Sequence, residues 1–75
     1  MKIDAEIKFL TDCKNFKAGE IITIPVDADY INDCDDIIQN IEEEMWTTKG
    51  VNVHNEIEFT ILNYSDLCAE FFEGD

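Results

Sequence analysis

The stretch from Asp27 to Thr48, DADYINDCDDIIQNIEEEMWTT, decides how the rest of the chain must be arranged. At about 100° per residue, Tyr30, Ile31, Cys34, Ile37, Ile38, Ile41 and Met45 share one face. That periodicity predicts one long amphipathic helix with an apolar seam. Asp29, Asp33, Asp36, Glu43 and Glu44 fall on the opposite side. Asp35, Gln39, Glu42 and Trp46 run along the border. Asp27, Asp29 and Asp33 are all candidate N-caps, and Asp33 with Asp36 has the spacing of a capping box. Lys49 and Gly50 form a stop signal. Glu42, Glu43 and Glu44 sit near the negative end of the helix dipole, where acids cost stability. They are either a solvated face or acids kept for another use. Trp46, beside Glu42, either closes the core or stands as an aromatic anchor ringed by acids.

Outward from the helix, the flanking segments read as strands. Residues 2–11 alternate, with Ile3, Ala5, Ile7 and Phe9 on one face and Lys2, Asp4, Glu6 and Lys8 on the other. Asp12 to Gly19 reads as a hairpin connection, with Phe16 folding back over the sheet. Glu20 to Val26 is a second strand with Ile22, Ile24 and Val26 inward. Pro25 cannot donate a ladder hydrogen bond, so this strand belongs at an edge or ends there. Lys49 to Asn55 is a connection, with an extended piece at Val51 to Val53. Glu56 to Asn63 alternates again, with Ile57, Phe59 and Ile61 inward. Ser65 is placed to cap a short helix with Leu67, Cys68, Phe71 and Phe72 on its apolar face and Glu70 and Glu73 outside.

The expected fold is therefore α+β, in the order β-β-α-β(-α), over a single domain of residues 1–75. A three-stranded antiparallel sheet carries the long helix on one face, with a short C-terminal helix after it. Strand order 2-1-3 gives a right-handed split crossover, while adjacent strands 2 and 3 or a β-grasp-like arrangement stay open.

Charge narrows the function classes. Eighteen acids face five lysines, with no arginine, for a net charge of −13. Residues 1–17 hold four of the lysines and only three acids, so the excess lies in residues 18–75. Direct nucleic-acid binding needs Lys or Arg to neutralise phosphates and is not expected. Anionic membrane surfaces are disfavoured for the same reason, and no apolar run approaches the roughly 18 residues that span a bilayer. The early acids in MKIDAEIKFL do not fit a secretory signal. Three cysteines, Cys13, Cys34 and Cys68, with no CxxC, fit reduced thiols and a cytoplasmic location.

No pattern for chemistry emerges. His54, the single histidine, lies in a polar loop with no Cys/His spacing that marks a nucleophile. An EF-hand loop counted from Asp27 fails at Ile31, Asn32 and Ile38. Cys13, Cys34, Cys68 and His54 lack a close ligand pair for zinc. Without arginine, the usual bidentate clamp for phosphate or carboxylate substrates is missing. The chain reads as a non-enzyme without a cofactor, and a cationic protein is its natural partner.

In size, charge and lack of motif the chain resembles the acidic DNA-mimic inhibitors of phages and mobile elements, of anti-CRISPR or anti-restriction type. Their carboxylates stand in for phosphates and block nucleic-acid-binding enzymes such as restriction nucleases, CRISPR effectors or uracil-DNA glycosylase. The resemblance implies a basic nucleic-acid-binding enzyme as partner, in the cytoplasm of a host cell. The residues expected to meet it are Asp29, Asp33, Asp35, Asp36, Glu42, Glu43, Glu44 and Trp46 on the helix, and Glu56, Glu58, Glu70 and Glu73 beyond it. An immunity protein or antitoxin against a basic toxin makes the same electrostatic prediction. An assembly subunit would instead associate through Trp46, Phe71 and Phe72, with homodimerisation left open, and a divalent-ion binder would be stabilised by calcium.

Overall fold

A computed structural model describes residues 2–72. The elements run β1 (Lys2–Phe9), β2 (Ile21–Asp27), α1 (Cys34–Glu44), β3 (Phe59–Ile61) and α2 (Tyr64–Phe72). The three strands form one antiparallel sheet in the order β2-β1-β3, as the split-crossover reading expects.

Alternation in the strands becomes one dry face. Ala5, Ile7 and Phe9 of β1, Ile24 and Val26 of β2, and Phe59 and Ile61 of β3 are buried. Ile37, Ile41 and Met45, spaced at helical intervals, belong to the same buried cluster, with Val51, Val53 and Leu67. Each such side chain contributes about 1.5–3 kcal/mol of transfer free energy. Lys2, Asp4, Glu6 and Lys8 take the wet face of β1. Phe16 does fold back, its ring stacked on Phe9 at 4.7 Å and 12°.

The helix starts later than its periodicity predicts. Asp27 caps a single 3-10 turn at Ala28–Tyr30, accepting from the Asp29 N–H, and Ile31 is then extended (φ −106°, ψ 115°). Asp33 is the N-cap of α1, in a complete capping box with Asp36. Asp36 also accepts the Asn32 N–H at 2.8 Å. Of three competing caps, two are used, and the chain between them is one 3-10 turn followed by an extended residue, which breaks the α-helix the periodicity predicts. Tyr30 is thereby released from the apolar seam and is 71% exposed. The far end runs through a π-helical turn, Met45–Lys49, and stops at Gly50 in the left-handed region (φ 71°). A Cβ at Gly50 would also meet Lys14 Nζ at 2.8 Å, where that ammonium donates to the Gly50 carbonyl.

Two further expectations need correction. The third strand is Phe59–Ile61, not Glu56–Asn63. Glu56 turns left-handed (φ 72°), and Ile57 and Glu58 donate their N–H groups to the His54 carbonyl. This tight turn points Ile57 out of the core, at 65% exposure. Secondly, α2 begins at Tyr64, so Ser65 lies inside its first turn and not at its cap. The Asn63 side chain is committed to β1, accepting from Glu6 N–H and donating to the Asp4 carbonyl. Val51 and Val53 lie in an irregular connection, both buried.

Candidate functional site

Beside the end of β2 a groove of about 620 Å³ opens between the sheet edge and α1. Pro25 and Asp27 form its strand wall, with Lys2 of β1 beside them. Asp36, Gln39, Asn40, Glu43 and Glu44 form its helix wall, and Tyr30 of the 3-10 turn also lines it. Four carboxylates and one ammonium therefore line a single concavity. Helical spacing explains the helix wall: Asp36, Asn40 and Glu43 follow one another at four and three residues, on the flank away from Ile37 and Ile41. The 3-10 turn explains Tyr30, because the chain must pass this end of the sheet between β2 and α1.

Of the residues expected to meet a partner, Asp36, Glu43 and Glu44 line this groove. Asp29 stands on the 3-10 turn, Asp33 caps α1 and Asp35 is exposed in its first turn. Glu42 accepts the Asn55 N–H at 3.1 Å and Glu58 the His54 N–H at 2.7 Å, so both pin the loop before β3. Glu56 is exposed in the left-handed turn and Glu70 on α2. Trp46 is 60% exposed in the π-helical turn, so it does not close the core. Glu73 lies outside the described residues. Asp27, Tyr30, Lys2 and Pro25 are the additions that the helix pattern missed. Pro25 had a signal, its edge position. The others depend on how the chain returns from β2 to α1.

A second, smaller pocket of about 380 Å³ is lined by Asn32, Asp33, Cys34, Cys68 and Phe72. Hydrogen bonding with the Cys68 thiol, then desolvation, pushes Cys34 up to about 11. Burial, then Cys68, pushes Tyr64 up to about 12, and its hydroxyl donates to the Cys34 carbonyl at 3.1 Å. The Tyr64 hydroxyl thereby bridges α2 to the first turn of α1. Both hold their protons more tightly folded than unfolded, so stability is full below the unfolded thiol value of 9.0 and falls as pH rises towards about 11. The expected result is a melting temperature that declines over that window, and a shallower decline in Cys34→Ser. A flat profile in the native chain contradicts this contact. All three cysteines are free thiols. Among the described residues, no three His, Cys, Asp or Glu side chains are arranged to hold a metal ion. No helix among those residues is long and apolar enough to cross a membrane.

Comparison of the chain with protein-family models, curated proteins and solved structures finds no match.

Proposed function

We propose that the protein is an acidic inhibitor that binds a basic, nucleic-acid-binding enzyme and presents carboxylates where that enzyme takes phosphates. The observation that carries this reading is the groove, with Asp27, Asp36, Glu43 and Glu44 around one concavity on a chain of net charge −13. Along α1, Asp36 and Glu43 are separated by roughly 10 Å of helix rise. That is about three of the 3.4 Å steps at which one DNA strand carries its charges. A nuclease or a CRISPR or restriction effector has the positive cleft that such a row complements. Association with it is fast and salt-sensitive, because complementary potentials act before contact.

An immunity protein against a basic toxin shares this electrostatics, and the identity of the captured protein separates the two. Immobilised protein is expected to retain one nucleic-acid enzyme from the lysate of a cell carrying its DNA-defence systems. Retention should fall with added salt, and duplex DNA should release the enzyme. A retained secreted toxin that DNA does not release would replace inhibition by immunity. Retention of nothing basic at low salt contradicts both.

A further inference from the structure

The sheet has an open edge beside the groove. β1 is the central strand, so among the described residues β2 has a partner on one side only. The Phe9 N–H donates to the Glu20 carbonyl, and the register from there pairs Ile7 with Ile22, Ala5 with Ile24 and Ile3 with Val26. In an antiparallel ladder the hydrogen-bonding direction alternates along the strand. Even-numbered residues of β2 therefore turn their backbone groups to β1, and Ile21, Thr23 and Pro25 turn theirs outward. Pro25 fits this parity, because the donor it lacks is one β1 never needed. Among the described residues, no hydrogen bond outside the sheet ladder engages Ile21, Thr23 or Pro25. Soluble proteins usually guard such edges with lysine, proline, bulges or short strands. Here a strand of seven residues carries one proline and no lysine, and Ile21 is 56% exposed.

We propose that this outer edge of β2 takes up an extended, lysine- or arginine-bearing segment of the basic partner as a fourth strand, with its cationic side chains in the acidic groove. The inference rests on the functional reading above and adds the contact element. Ile21 and Thr23 each offer an N–H and a C=O, and Pro25 offers a C=O. Backbone pairing supplies affinity, and alternate side chains supply specificity. Side chains on one face of the added strand recur at about 6.8 Å, twice the residue rise. Those on the α1 side meet Asp36, Glu43 and Glu44, and Tyr30 offers its ring to a guanidinium or a lysine stem. Charge excludes a second copy as the occupant: edge-to-edge pairing would bring two acidic grooves together.

The test uses a fluorescein-labelled decapeptide of alternating lysine and threonine, and the same peptide N-methylated at its six central residues. Both carry the same charge, but the second cannot donate backbone hydrogen bonds there. The parent peptide is expected to bind at least tenfold more tightly. It should also slow amide exchange at Ile21 and Thr23 at least tenfold. Thr23→Pro, which removes an outward donor and no ladder bond, should weaken binding by a similar factor. Should that variant fail to fold, exchange in the native chain decides. Equal binding of both peptides, unchanged exchange at those amides, or no peptide binding overturns strand addition. Any of these leaves DNA-releasable capture of an enzyme untouched. Conversely, peptide ordering on the edge without capture of a nucleic-acid enzyme removes only the inhibitor reading.

Discussion

Reversing Glu43 and Glu44 together to lysine is expected to weaken binding of the basic enzyme on the order of 100-fold, with little change in melting temperature. Close charge pairs at interfaces couple by about 1.5–7 kcal/mol, and reversal replaces attraction by repulsion. Even the low end, taken over two sites, is about 3 kcal/mol and already exceeds a factor of 100. Both residues lie in the last turn of α1, where lysine suits the helix dipole. Neither carboxylate makes a hydrogen bond that the fold uses among the described residues. Asp36 must be left in place. Its carboxylate accepts the Asn32 and Asp33 N–H groups, so reversal there would remove a cap worth about 1 kcal/mol and confuse binding with folding. Titration calorimetry beside a thermal melt separates the two effects. Unchanged affinity would place the interface away from the groove.

Truncating Phe59 to alanine is the largest expected stability effect. Its ring is fully buried, and it stands in a strand of three residues. Phe→Ala in a packed core costs about 3–5 kcal/mol. A chain of this length has roughly 4–11 kcal/mol in all. The variant should therefore lose its cooperative urea transition or shift it far down. Phe72, 40% exposed, is the control, and its truncation should cost well under half as much. Equal effects at the two positions would mean that β3 does not anchor the core.

How far the fold could be read from residues varied with how many local signals competed. β1 has one alternating pattern and no rival, and its faces follow it. β2 joins alternation to Pro25, whose missing donor leaves an edge position or a strand end, and the sheet order makes it an edge. The start of α1 had three aspartate caps within seven residues, and periodicity could not choose between them. Tyr30 was drawn into the seam because its angle fits, although the Asp27 cap had already spent that turn on a 3-10 helix. Ile57 fits a strand alternation just as well. The left-handed Glu56 ahead of it leaves no trace in residue type, since a glycine or asparagine there would have been the warning. The helix wall of the groove was legible as a row of acids. Of its strand wall only Pro25 left a signal, because Asp27 and Lys2 reach the groove only through the crossing of α1 over β2.

The most direct measurement is a competition titration of the captured enzyme between this protein and duplex DNA at two salt concentrations. Binding is expected to be mutually exclusive, with both affinities falling as salt rises and the protein's falling least for Glu43→Lys/Glu44→Lys. A ternary complex of enzyme, DNA and protein, or an affinity indifferent to salt, would contradict it.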